Sequence, residues 1–340
     1  MSELPEFALY EGEGRTLGQR GKKLPNFKPL ASLHDPAKYV ADEGLRNAVN
    51  IALALGQPLL VSGEPGTGKT ELADSIAHEL ELGEPLVFHT TTTATAKDLF
   101  YRYDALGHFH ESQFNFRGAS IDSFISYEAL GLAILLTMPR DQANRYLPED
   151  LRDRGPRRSV VLIDEIDKAP RDLPNDVLNE IEHLTFSVKE TGKIFKAEQQ
   201  YRPIVILTSN LEKNLPDAFL RRCVYYNVSF PNSDRLREIA IGRLNLCSDS
   251  DSDRGMAESA IQYFESIRKL TLKKRPATAE FLAWVRVLRQ QNLSLNLKQF
   301  NKSQQQGFLA SCDVLGKTED DRKTITKYFE AIISGNNTSG

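Results

Sequence analysis

From Val40 to Leu55 apolar residues recur at the three- and four-residue spacing of a helix, and Gly56 supplies a stop. The run Pro-Leu-Leu-Val at 58–61 then reads as a strand buried on both faces. The alternation continues along the chain. Glu71 to Leu82 has a helical pattern, Leu86 to Thr90 reads as a strand, 121–136 as a helix, 159–163 as a strand and 173–184 as a helix. Ile204 to Leu207 and Val224 to Phe230 read as two further strands. Short apolar strands separated by helices predict a parallel sheet covered on both faces.

The pattern changes at Pro231. Beyond it, 233–246, 256–270, 277–290 and 322–333 are helix-like, and no segment reads as a strand. SDSDSD at 248–253 reads as a solvated acidic loop. Residues 1–30, rich in Gly, Pro and charge, are expected to form an extended arm, and 335–340 a loose tail. The predicted organisation is an α/β domain over 31–231 with three αβα layers, followed by a smaller all-helical domain over 232–334. The chain has no internal repeat.

Composition narrows the function classes. A length of 340 residues allows two domains, and 40% hydrophobic with 26% charged residues suits a globular protein in water. A net charge of −3 creates no global field toward nucleic acid or acidic lipid. Cys223, Cys247 and Cys312 lie far apart without metal-ligand spacing, which predicts reduced thiols and a cytoplasmic protein. The opening MSELPEFALYEGEGR has no apolar core, so no signal peptide is expected. The apolar stretch Ala129 to Met138 is too short to span a membrane and reads as a buried helix.

The chemistry begins at Gly63-Glu64-Pro65-Gly66-Thr67-Gly68-Lys69-Thr70, which matches G-x-x-x-x-G-K-[ST] in full, after a predicted strand and before a helix opening at Glu71. Glycines let the backbone bend so that its N–H groups face phosphates, and the positive end of the helix adds attraction. Lys69 suits the β- and γ-phosphates of ATP, and the Thr70 hydroxyl suits Mg²⁺. A second apolar strand, Ser159 to Ile163, ends in Asp164-Glu165. Asp164 suits the magnesium hydration shell. Glu165 is placed to polarise a water for attack on the γ-phosphate. The predicted fold is therefore that of a P-loop NTPase with a helical lid.

GEPGTGKT, VVLIDEIDKAP, IVILTSN and AFLRRC, in that order, resemble the motifs of AAA+ ATPases. DEIDKAP and the following LPNDVLNEIE look most like the MoxR-like branch and its dynein-related neighbours. The resemblance runs from about Leu33 to Leu288. It implies an ATP-hydrolysing, chaperone-like motor that self-associates into a ring, by family pattern a hexamer, and remodels a partner protein. A von Willebrand factor A domain protein is an implied partner. Net charge and the lack of an added DNA-binding module argue against nucleic acid, which stays as the alternative partner of a GTP-using, restriction-type motor subunit.

The resemblance also assigns residues. Asn210, at the end of a strand expected between the two motif strands, corresponds to the polar sensor, whose amide can donate and accept. Arg222, with Arg221 as second choice, corresponds to an arginine finger acting on a neighbouring subunit. Val40 stands where the family packs adenine. The lid arginine is missing: Thr278 or Ala279 occupies its place, and Arg275 is the candidate substitute. Thr191-Gly192 interrupts two alternating runs, a hairpin signal, with Lys189, Lys193 and Phe195 as candidate partner contacts. The segment Phe100 to Phe116 is rich in aromatics, Arg and His and is a second candidate surface. His34, His78, His89, His108, His110 and His183 show no metal-binding spacing.

Overall fold

The computed structural model describes residues 35–114, 120–244, 251–291, 293 and 295–335. The predicted arm over 1–30, His34, Phe116, Cys247 and the tail beyond Gly335 lie outside the described residues. The chain divides into two units, with a boundary between Ser229 and Phe230; the short 3-10 turn Pro36–Lys38 groups with the second.

The α/β unit runs α1 (Glu43–Leu55), β1 (Leu59–Gly63), α2 (Glu71–Glu79), β2 (Leu86–His89), β3 (Tyr101–Tyr103), α3 (Ala105–Phe114), β4 (Ile125–Tyr127) and α4 (Ala129–Leu135). It continues through α5 (Arg140–Ala143), β5 (Val160–Asp164), α6 (Leu173–His183), β6 (Thr185–Val188), β7 (Lys193–Lys196), β8 (Ile204–Ser209), α7 (Asp217–Leu220) and β9 (Val224–Val228). Five strands form one parallel sheet in the order β2-β5-β8-β1-β9. The polar-ended strand β8 thus lies between the two motif strands, β5 and β1.

The sheet is apolar on both faces because successive strand residues point to opposite sides. Leu60, Val161, Ile163, Val205 and Leu207 join one core with α4 and α6. Leu59, Val61, Val160, Leu162 and Ile206 join the other with α1 and α2. This two-sided burial explains the unbroken apolar runs in the sequence. Helix α1 starts where the Asp42 side chain accepts the backbone N–H of Leu45 at 2.7 Å and ends at Gly56 in the left-handed region.

The helical unit contains α8 (Ser233–Leu244), α9 (Asp251–Lys269), α10 (Thr278–Gln290), α11 (Lys302–Ser311) and α12 (Glu319–Ile333), and no strand among its described residues. Its core gathers Phe264, Phe281, Trp284, Phe308 and Phe329, with the Trp284 indole N–H donating to Ser311 Oγ at 3.0 Å.

Two readings of the pattern need correction, and two further stretches hold elements that the pattern did not predict. Residues 121–136 are not one helix: a 3-10 turn over Ile121–Phe124 leads into β4, and only α4 is helical. Ile125, Ser126 and Tyr127 pair antiparallel with Tyr103, Arg102 and Tyr101, and that long-range pairing overrides the local pattern. The segment Phe100 to Phe116 holds β3 and α3, neither of which its mixed composition signals. The acidic run read as a loop over 248–253 is helical from Asp251, where α9 begins; 248–250 lie outside the described residues. Helix α11, with Asn301 accepting from Gln304 N at 2.8 Å, has too few apolar positions to read as amphipathic.

The hairpin around Thr191-Gly192 is present as β6 and β7, but its expected contacts are not all available. Phe195 is buried, in an aromatic cluster with Phe186, Tyr127 and Tyr146. Lys193 is ion-paired with Asp122 at 2.5 Å, and Lys97 with Glu190 at 2.9 Å holds the turn. Alternation puts Phe186 and Phe195 inward and leaves Ile194 exposed, with Lys189 exposed on the turn.

Candidate nucleotide site

Strand β1 is buried at every position and delivers its last residue, Gly63, to the carboxyl edge of the sheet. Gly63 has φ +149°, and a Cβ there would stand 2.5 Å from the Val228 carbonyl oxygen on the adjacent strand. Gly68 has φ +84°, with the Tyr39 ring 3.4 Å from where its Cβ would be. These two positions explain the demand for glycine: one by close approach, both by backbone conformation.

Lys69 curls back into the loop it follows. Its Nζ donates to the carbonyls of Gly63 and Glu64, each at 2.9 Å, and the residue is 6% exposed. Burial pushes its pKa below the usual lysine value, while Asp164, Asp167, Glu165 and Glu64 pull the other way. A buried ammonium held by loop carbonyls is a ready partner for an anion placed in the same loop.

The acidic pair sits next door. Strands β2 and β5 pair with His89 opposite Asp164. Thr70 Oγ1 donates to Asp164 Oδ1 at 3.1 Å, so the two oxygens expected near magnesium already face each other. His89 Nδ1 lies 3.5 Å from Asp164 Oδ2. On β8, the Thr208 hydroxyl donates to Asp164 Oδ1 at 2.6 Å and accepts the Glu165 N–H at 2.8 Å. One side chain of the middle strand therefore fixes both members of the pair.

Glu165 leaves the strand in the left-handed region, φ 56° and ψ 50°. A non-glycine residue there is uncommon and carries strain. The sharp turn lifts its carboxylate toward the end of β8, where Asn210 Nδ2 donates to Oε1 at 2.9 Å. Lys168 binds the other oxygen, Oε2. Asp167, 2% exposed, accepts from Asn210 N at 3.3 Å and Glu212 N at 2.9 Å, and so ties the two strand ends together.

The structure thus gathers Gly63 to Glu71, Asp164, Glu165 and Asn210 at one edge of three adjacent strands. Sequence reasoning missed Thr208, Asp167, Lys168 and His89. Two hydroxyls, Thr208 and Ser209, in an otherwise apolar strand that is buried from Val205 onward were a usable signal. Val40 is 40% exposed, so it is not a core residue; the ring lying against the phosphate loop is that of Tyr39.

Arg221 and Arg222 are exposed and follow α7, just before β9. Val224 pairs with Leu59 and Val228 with Gly63, so the four steps between them cover about 13 Å. Both arginines therefore lie at the opposite end of the sheet from their own phosphate loop. Arg275 belongs to the helical unit, where it is exposed ahead of α10; Thr278 is buried and Ala279 exposed in that helix's first turn.

Among the described residues no cluster of three His, Cys, Asp or Glu side chains could hold a metal alone. A magnesium ion would be held with the nucleotide, by Thr70 and Asp164, whose facing oxygens suit a hard cation. Cys223 and Cys312 are free thiols, and burial pushes Cys223 up to about 12. No helix among the described residues is long and apolar enough to cross a membrane.

Residues 58–223 match the family described as AAA domain (dynein-related subfamily). No curated protein matches the chain. Solved structures similar to it include a Thermotoga maritima RuvB mutant, at 15% identity and TM-score 0.44, covering 87% of this chain and 72% of that one. The FIGL-1 AAA domain in complex with ADP matches at 15% identity and TM-score 0.41, covering 86% and 87%. A structure concerning katanin self-assembly matches at 12% identity and TM-score 0.40, covering 91% and 99%. Scores this low add nothing to the functional reading. The family match falls on the segment that carries the phosphate loop, the acidic strand and the polar-ended strand, so residues 58–223 are similar to an AAA domain.

Proposed function

We propose that this protein is an ATP-hydrolysing ring motor of the MoxR-like kind that remodels or activates a partner protein. The observation that carries the hydrolytic reading is the carboxylate of Glu165, held by Asn210 at 2.9 Å beside the Asp164–Thr70 pair. Glu165 accepts the proton of the attacking water, and Asn210 orients both the carboxylate and that water. Lys69 and the loop N–H groups bind the phosphates. Magnesium, when bound with ATP, supplies charge neutralisation on the phosphate oxygens. Arg222 lies too far along the sheet to serve its own site, which favours action on a neighbouring copy and hence a closed ring.

The partner is a protein by resemblance, with a von Willebrand factor A domain protein as the specific expectation. The test is a native co-purification with a Glu165→Gln chain, which should bind ATP and stay assembled on its client. A nuclease-resistant protein client supports the reading. A nuclease-sensitive complex would replace it with the nucleic-acid motor. A wild-type chain without ATPase activity would remove the hydrolytic core of the reading.

A further inference from the structure

Two donors grip Glu165, and only one of them belongs to the expected set. Asn210 Nδ2 takes Oε1 at 2.9 Å. The Lys168 ammonium takes Oε2. The left-handed backbone at Glu165 starts a 3-10 turn, closed by Lys168 N donating to Glu165 O at 2.9 Å, and this turn brings the lysine back over the carboxylate. The buried Asp167 inside the same turn holds the backbone of Asn210 and Glu212, so both donors are fixed to one frame. Lys213 Nζ contacts the Lys168 carbonyl at 3.3 Å and adds to that frame.

The ion pair does little for stability. Lys168 is 40% and Glu165 34% exposed, and exposed pairs of this kind contribute little to folding. Its effect is on orientation. The terminal torsion of a glutamate is broad, so a single donor leaves the carboxylate plane free to swing. Separate donors on the two oxygens fix that plane, and each oxygen keeps a lone pair for a water.

We propose that Lys168 is a positioning residue for the hydrolytic water: with Asn210 it sets the plane of the Glu165 carboxylate. The role rests on the ATPase reading given above. It also explains the left-handed strain at Glu165, which places residue 168 over the carboxylate.

The test compares Lys168→Met, Lys168→Gln and Lys168→Arg in the full chain. Steady-state ATP turnover and equilibrium binding of a non-hydrolysable ATP analogue are measured for each. Lys168→Met and Lys168→Gln are expected to lower kcat by about ten- to a hundredfold, the scale of a misplaced catalytic group, with KM and analogue Kd within about twofold of wild type. Lys168→Arg should recover most of kcat, because a guanidinium can still donate to Oε2. In a Glu165→Gln background, Lys168→Met should cause no further loss. Unchanged or increased kcat in both neutral variants overturns the positioning role, as does a full additional loss in the Glu165→Gln background. A loss that appears only in KM or analogue Kd also overturns it. A wild-type chain that hydrolyses no ATP overturns this role and the ATPase reading together. Wild-type turnover with indifferent Lys168 variants overturns this role alone.

Discussion

The Thr208 hydroxyl stands 2.6 Å from Asp164 Oδ1 and also accepts the backbone N–H of Glu165 at 2.8 Å. A residue on the middle strand thereby orients the carboxylate proposed for magnesium and the backbone of the residue proposed as base. Thr208→Val keeps the β-branched shape and removes the hydroxyl. Groups that orient a metal ligand are typically worth ten- to a hundredfold in affinity or activity. Thr208→Val should therefore raise the Mg²⁺ concentration needed for half-maximal turnover by about that factor and leave the fold intact. A magnesium titration of ATPase activity, with circular dichroism as the folding control, checks this. Thr208→Ser should remain near wild type.

Lys69→Ala is expected to abolish tight ATP binding. The ammonium makes two charge-assisted hydrogen bonds at 2.9 Å to loop carbonyls and would exchange them for phosphate oxygens. Losing that interaction should cost about 3 kcal/mol, roughly a hundredfold in Kd. A fluorescent ATP analogue measures the change. Wild-type affinity in the variant would refute the phosphate-loop assignment.

Glu165→Gln should bind ATP normally and hydrolyse it about a hundred- to ten-thousandfold more slowly. The amide keeps the shape, but it cannot take a proton from water. Thr70 and Asp164 remain facing each other, so magnesium binding should survive. Single-turnover hydrolysis beside equilibrium binding separates the two effects.

Arg222→Ala should spare ATP binding in its own chain and lose hydrolysis by about a thousand- to a hundred-thousandfold, the range for arginine fingers. Mixed with Lys69→Ala chains, each inactive alone, it should regain activity at interfaces that join an intact site to an intact arginine. Turnover across mixing ratios reports this. Mixed rings at background activity would count against the trans arrangement.

In the helical unit, Asp321 is 2% exposed and accepts from Lys273 N at 2.8 Å and Lys274 N at 3.2 Å. Burial alone would raise its pKa. The Thr318 hydroxyl and the Lys273 and Lys274 N–H groups outweigh burial and hold it below the usual carboxylate value. A folded-state value below the unfolded one means the stabilisation is present above the unfolded carboxylate pKa and is lost as pH falls through the folded one. Asp321→Ala should destabilise the chain by about 1–3 kcal/mol at neutral pH, by leaving two N–H groups unmet. Thermal unfolding should show the gap from wild type closing toward acid pH.

The sequence by itself determined the local chemistry of this protein. Gly63 to Thr70 had to be a tight turn of the kind proposed to bind phosphate, because glycine positions, lysine and hydroxyl follow each other at fixed spacing between a strand and a helix. Continuous apolar runs such as Val160 to Ile163 had to be strands buried on both faces, since a half-exposed strand would alternate. Gly56 had to end its helix. What stayed hidden was whatever depends on residues distant in the chain. Ile125 to Tyr127 is a strand only because Tyr101 to Tyr103 pairs with it. Phe195 is inward because of the register of β6 against β7, and a shift of one residue would have exposed it. The grip on Glu165 is tertiary in the same way. Lys168 is close in sequence, yet only the left-handed backbone at Glu165 turns it onto the carboxylate. Thr208 and Asn210, more than forty residues away, reach the acidic pair because β8 lies beside β5 in the sheet. Spacing along a chain encodes a turn or a strand, whereas strand order and side-chain direction arise from packing the whole sheet.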